Sequence, residues 1–149
     1  MTTIFEALRA DHEVQRDLVD RLIGTTGASD ERQDGFTQLV TELKAHATSE
    51  ERHFYVPLMQ DDLSQAKARH SVSEHHEMDE LVEQLEQYEL RASQWLITAK
   101  ELHHKVHHHL DEEEQEVFQI AGKVLAESAK TSLADEYEQE MDAQRQKVS

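Results

Sequence analysis

An all-α, up-down-up-down four-helix bundle with a short C-terminal fifth helix is the fold this sequence predicts. Three observations predict it. Only four glycines and one proline punctuate 149 residues, so long uninterrupted elements are expected. The chain is rich in Glu, Gln, Leu, Ala and Lys, which are good helix formers. Apolar residues recur at helical spacing through four long segments, and no useful length alternates with period two.

The first segment, residues 3–24, carries Ile4, Phe5, Leu8, Leu18, Val19, Leu22 and Ile23 on one stripe. Thr3 and Glu6 have the spacing of a capping box. The run Gly24-Thr-Thr-Gly-Ala-Ser-Asp reads as the loop that follows. The second segment, residues 31–60, carries Phe36, Leu39, Val40, Leu43, Phe54 and Leu58, and Pro57 is expected to end or kink it. Asp61-Asp62 marks a break. The third, residues 64–90, carries Val72, Met78, Leu81, Val82, Leu85 and Tyr88. The fourth starts near residue 92 and carries Trp95, Leu96, Ala99, Leu102, Val106, Val117, Ile120 and Val124. A shorter amphipathic stretch, residues 132–147, carries Leu133, Tyr137 and Met141 and is expected to dock as a fifth helix or to fray. Short loops between long helices favour antiparallel neighbours. The expected division is one domain over residues 1–128 and a helical extension over residues 129–149.

Composition excludes several classes. The formal net charge of −17 argues against nucleic acid and anionic membrane surfaces as partners. No cysteine means no disulfide, no thiolate catalysis, no iron–sulfur cluster and no cysteine-type zinc site. No stretch approaches the 18 apolar residues of a membrane span. The N-terminus lacks a basic region followed by an apolar run, so no signal peptide is expected and the cytoplasm is the expected location. What remains for chemistry is imidazole and carboxylate, and the chain has 11 histidines.

Four of those histidines interrupt the apolar stripes. His12 lies four residues after Leu8, His46 three after Leu43, His75 three before Met78, and His109 three after Val106. Glu50 and Glu113 follow one turn after His46 and His109 and also point inward. A second pattern is independent of the stripes. His12 to His75, His46 to His109 and Glu50 to Glu113 are each 63 residues apart. Val19 and Val82, Leu22 and Leu85, and Leu39 and Leu102 follow the same shift, so the chain reads as two related helical hairpins. Counted from the loops at 1.5 Å per residue, the four histidines lie about 18–26 Å from the bundle ends, roughly one layer. Such a layer is costly in a core unless satisfied. Metal satisfies it, and iron accepts both ligand types. A hydrogen-bonded His–Glu network is the alternative.

The chain resembles the hemerythrin-like family, the HHE cation-binding domain, in its bacterial form. The resemblance rests on His12 in Asp-His-Glu, and on His46-Ala-Thr-Ser-Glu50-Glu51 followed by Phe54-Tyr55-Val56-Pro57. It rests also on Glu74-His75-His76-Glu77, and on His108-His109-Leu-Asp-Glu-Glu113-Glu114 with Val117-Phe118. It spans about residues 3–127. It implies a four-helix bundle holding an oxo- or hydroxo-bridged centre of two iron ions. His12, His46, His75 and His109 would be terminal ligands, and Glu50 and Glu113 would bridge. The oxygen carriers of the family have a second histidine one turn away on the third helix, where this chain has Ser71 and Asp79. Six protein ligands for two irons therefore leave room for oxygen, peroxide or nitric oxide.

The other histidines read as peripheral. His53, seven after His46, is expected at the core edge, with a hydrogen bond to a ligand or a place as a seventh ligand as the other readings. His70, His76, His103, His104, His107 and His108 map to polar faces, with weak surface metal binding as the minority reading. Glu51, Glu112 and Glu114 read as a solvated acidic face or an iron guide, and Tyr55 as a hydrogen-bond partner near the metals. The expected function is a nonheme diiron protein that binds or processes oxygen, hydrogen peroxide or nitric oxide, in oxidative or nitrosative stress. Catalase-like turnover is left open. The alternatives are a sensor or iron reservoir without turnover, and a bundle that uses zinc or no metal. A ferritin-like bundle would want Glu-x-x-His on two helices, and only Glu50-Glu51-Arg52-His53 offers it.

Overall fold

The computed structural model describes residues 1–148. α1 spans Ile4–Ile23 and α2 spans Asp30–Glu50. A π-helical turn, Glu51–Tyr55, leads into the short α3, Val56–Met59. α4 spans Gln65–Gln87 and α5 spans Ser93–Glu112. A second π-helical turn, Glu113–Val117, leads into α6, Phe118–Val124, and α7 spans Glu127–Val148. The predicted bundle is present: α1, the α2–α3 arm, α4 and the α5–α6 arm run up, down, up and down. None of these helices is long and apolar enough to cross a membrane.

Local signals explain the ends. The Thr3–Glu6 capping box forms, with each residue's backbone N–H bonded to the other's side chain. Ser29 caps α2 through the Arg32 amide. Gly27 sits in the loop at a φ of 56°, where a side chain would be strained. Arg32 bonds the Thr25 carbonyl and the Leu90 carbonyl, each at 2.6 Å, and stacks over Trp95. One buried guanidinium thus ties the two loops at that end of the bundle. Tyr88, expected on the third stripe, falls past the end of α4 and is partly exposed.

Two departures shape the site. The second and fourth helices are not continuous α-helices. Each contains a π-helical turn that begins directly after Glu50 or at Glu113. The extra residue in such a turn rotates everything after it, and such turns often mark functional positions. The buried set on the fourth helix therefore passes to Val117, Phe118 and Ala121, while Ile120 and Val124 are only partly buried. The C-terminal helix is also longer than expected, 22 residues, and packs against α1 and α2. Ala134, Tyr137 and Met141 are its buried face, so it docks rather than frays.

The core falls into two apolar clusters. One holds Ile4, Leu8, Phe54, Leu58, Phe118 and Met141. The other holds Val19, Leu22, Leu39, Leu85, Trp95, Leu102 and Val106. His12 follows Leu8 of the first cluster and precedes Leu18 of the second, and His75 lies between Ala68 and Met78 in the same way. The predicted polar layer is the boundary between the clusters. Trp95 lies fully buried in the second one. Trp95→Ala is expected to destabilise the protein by about 3–5 kcal/mol in urea unfolding, with metal stoichiometry unchanged. A loss under about 1 kcal/mol would show that this end of the bundle tolerates a large cavity.

Candidate metal centre

All six predicted site residues meet in one place. His12, His46, Glu50, His75, His109 and Glu113 are at most 5% exposed. Their atoms divide into two sets: Glu50, His75, His109 and Glu113, and His12, His46 and Glu50. Within each set the donor atoms lie within 4.8 Å of one another, and Glu50 belongs to both. Glu113 also spans them, with one oxygen 3.6 Å from His12 Nε2 and the other 3.2 Å from His109 Nε2. His46 and His75 Nε2 stand 3.1 and 3.2 Å from the same Glu50 oxygen.

Those spacings suit donors that share a cation. Two atoms each about 2.1 Å from one ion at a right angle stand about 3.0 Å apart. The hydrogen bonding agrees. The four Nε2 atoms, Glu50 Oε2 and Glu113 Oε1 are buried with no hydrogen-bond partner among the described residues. Buried polar atoms normally find partners, so six convergent orphans in a core call for a ligand.

Every Nδ1, by contrast, has a partner. His12 Nδ1 is 2.7 Å from Glu114, His75 Nδ1 is 3.4 Å from Glu51, and His109 Nδ1 is 2.8 Å from Glu74. His46 Nδ1 is 2.7 Å from the Tyr137 hydroxyl, which donates to Asp11 at 2.6 Å. With the Nδ1–H given to these partners, each ring that loses its other proton turns an Nε2 lone pair to the centre, the usual arrangement around a metal-bound imidazole.

The 63-residue shift runs through this outer layer too. His12–Glu114 and His75–Glu51 are equivalent pairs under it. Glu74 of the second hairpin corresponds to Asp11 of the first. Glu74 reaches His109 directly, but Asp11 is one methylene shorter, and the Tyr137 hydroxyl from α7 fills the gap to His46. The reading of Glu51 and Glu114 as solvated is thus corrected, since both are spent on imidazoles. Glu112 is likewise paired, with His70 and His108. The adjacent pairs Glu50-Glu51 and Glu113-Glu114 were the available sequence signal. Nothing in the sequence marked Tyr137 for this role. Tyr137→Phe is expected to weaken metal binding about 10–100-fold in a chelator competition. An unchanged affinity would show that this bond does not act on His46.

Tyr55 meets the expectation of a bond near the site. Its hydroxyl lies 2.8 Å from Glu50 and 2.5 Å from Glu113. The π-helical turn makes this possible, because residues five apart stack there and Tyr55 is five after Glu50. His53 turns away to Glu136 and Glu140 on α7, so it belongs to neither donor set.

Charge is unevenly distributed. Burial disfavours protonated His12, but Glu114 and Glu50 outweigh it and raise its pKa to about 9. His109 is raised to about 10, with burial opposed by Glu113 and Glu74. Burial and the Glu50 charge push Glu113 up. Burial also works against charged Glu50, yet His46, Glu113 and His12 hold it well below the carboxylate range. Beside the centre a small cleft is lined by Gln15, Leu43, His46, His75, Met78 and His109. Gln15 is 2% exposed, and its Nε2 has no partner among the described residues. It offers a hydrogen-bond donor at an opening that Leu43, Ala47 and Met78 line on the apolar side and Asp79 on the polar side.

Comparisons with known proteins agree with this geometry. A family model described as hemerythrin HHE cation binding domain matches residues 3–121. The crystal structure of a hemerythrin HHE cation binding domain-containing protein from Mycobacterium kansasii superimposes with a TM-score of 0.89. That likeness covers 99% of this chain and 90% of the other at 20% sequence identity, and it speaks for the fold. No curated protein matches significantly.

Proposed function

Because the chain belongs to the hemerythrin HHE cation binding domain family and carries a buried metal-binding cluster, we propose that the metal is a pair of iron ions serving small oxidants. The observation that carries this reading is the division of six buried donors into two sets that share Glu50. His75 and His109 would hold one ion, His12 and His46 the other, and Glu50 and Glu113 would bridge. Two imidazoles and shared carboxylates suit iron, and an oxo or hydroxo bridge would complete the pair. Iron supplies a redox-active Lewis acid able to take oxygen, peroxide or nitric oxide.

The protein's own residues set the rest. The two apolar clusters exclude water from the centre. Tyr55 fixes both carboxylates, and the Nδ1 partners fix the four rings. The cleft beside His46, His75 and His109 admits a small molecule, and the Gln15 amide donates to it. The division into a metal domain, residues 1–128, and a helical extension fits this proposal, with the extension contributing Tyr137.

Metal analysis and visible spectroscopy after iron-replete expression test the reading. Two irons per chain with the charge-transfer absorption of a bridged pair are expected. Colourless protein holding zinc or no metal would overturn it. Oxygen evolution from added hydrogen peroxide would then assign catalase-like turnover. Its absence in iron-loaded protein would assign a sensor or reservoir.

A further inference from the structure

A second cluster of histidines and carboxylates lies outside the centre, across α4 and α5. His70 and Glu74 are four residues apart on α4, and His108 and Glu112 four apart on α5. Each pair thus faces across the seam between the two helices. Glu112 puts one oxygen 2.9 Å from His70 Nε2 and the other 3.1 Å from His108 Nε2. Both imidazoles are more than half exposed, at 58% and 55% of the side chain. Glu74 is different: its side chain is only 8% exposed. Its Oε2 lies 3.6 Å from His70 and 3.8 Å from His108, beyond hydrogen-bond reach of either. Its Oε1 is 2.8 Å from His109 Nδ1.

His70, Glu74 and Glu112 each offer a donor atom within 4.8 Å of the others, one imidazole and two carboxylates suited to a borderline divalent cation, and His108 stands beside them on the other oxygen of Glu112. Glu74 is the feature that makes the cluster more than surface decoration. A buried carboxylate points one oxygen, with no hydrogen bond among the described residues, between two exposed imidazoles. With the other oxygen it holds a ring of the buried centre. The donors of the centre are at most 5% exposed, and the cleft beside them has room for about one water-sized molecule, not for a hydrated ion. A cation arriving from solvent therefore needs a place to shed water before it reaches Nε2 of His109.

We propose that His70, Glu74 and Glu112, with His108 at their edge, form an outer site that captures a divalent transition-metal ion and feeds the buried centre through Glu74 and His109. The role of feeding the centre rests on the diiron reading above, while the outer site itself does not. The chain also carries its own control. Asp20, His103 and His107 form another surface cluster, with both imidazoles 2.8 Å from Asp20 Oδ1. Among the described residues that cluster shares no hydrogen bond with the six residues of the centre.

Two measurements on the full chain test the proposal. Anaerobic stopped-flow uptake of Fe2+ by metal-free protein is expected to be about tenfold slower in His70→Asn/His108→Asn, a change in the range that a local charged funnel contributes to on-rates. The final iron content should be unchanged, and His103→Asn/His107→Asn should load at the wild-type rate. Calorimetric titration with Zn2+ should show one fewer equivalent in His70→Asn/His108→Asn than in wild type. Wild-type uptake rates in that variant, or equal slowing in the control variant, would overturn the loading role. An undiminished zinc count would overturn the site. If wild-type protein takes up no iron at the centre while the zinc difference persists, the diiron reading has failed and the outer site has not.

Discussion

Replacing Glu50 by glutamine is expected to leave less than one iron per chain, the largest loss from any single change at the centre. Glu50 is the residue common to both donor sets. Its two oxygens face different partners, with Oε1 near His46 and His75 and Oε2 3.8 Å from His12 Nε2. A neutral amide keeps the shape and removes the charge that draws a cation to both positions. It also puts an NH2 donor where a lone pair is needed. The affinity loss should exceed about 100-fold, the upper range for changes one shell further out. His109→Ala, by comparison, takes a donor from one set only and should spare part of the iron. Metal analysis of both variants, with circular dichroism to show that each is folded, is the measurement. Full iron and an unaltered spectrum in either variant would sink the ligand assignment.

Metal binding should also release about two protons per chain at pH 7. The pKa of His12 is raised to about 9 and that of His109 to about 10, so both are charged at neutral pH in the metal-free protein. A metal ion needs each Nε2 lone pair, and both protons must leave. Apparent affinity should therefore rise about 100-fold per pH unit above pH 7, with the slope falling as pH passes about 9. Calorimetry in buffers of different ionisation heat counts the protons directly. Release of less than one would contradict the assignment of charge to these imidazoles.

The same shifts set the pH range of the metal-free fold. His12 and His109 are raised above the ordinary 6.5, so their stabilisation is fully present below about pH 6.5 and is lost as pH rises through 9 and 10. Glu114 is lowered from 4.5 to about 2: burial disfavours its charge, but His12 and Arg16 more than compensate. Its contribution is present above about pH 4.5 and is lost as pH falls through 2. Loaded protein should resist alkaline unfolding better, because the metal replaces the protons as counter-charge.

The six buried residues of the centre were legible because each breaks a rule that the rest of its helix obeys. A histidine at a core position is visible against leucines three and four residues away. The shift of 63 residues repeats the exception on a second hairpin. Tyr55 was legible only as a nearby aromatic, because helical spacing places it well off the Glu50 face. The π-helical turn that brings it back has no local signature. Glu74, Glu51 and Glu114 were hidden for a different reason. An acidic residue beside a core position looks the same whether it faces water or a neighbouring imidazole. Tyr137 lay 91 residues from His46, on a helix whose length and contacts are decided by packing.

Composition and periodicity alone determined that this protein is an α-helical bundle with a polar layer of four imidazoles and two carboxylates. Those properties depend on the order of side chains along each helix, and the order is in the chain. The tertiary structure alone decided how the layer is arranged. It divided the donors into two sets around Glu50 and turned every Nδ1 to an outer partner. It also inserted Tyr137 where Asp11 falls short and set Glu74 between His109 and two surface histidines. Each of these depends on distances of a few ångströms between different helices. Such distances follow from how whole faces pack, which no single stretch of sequence specifies.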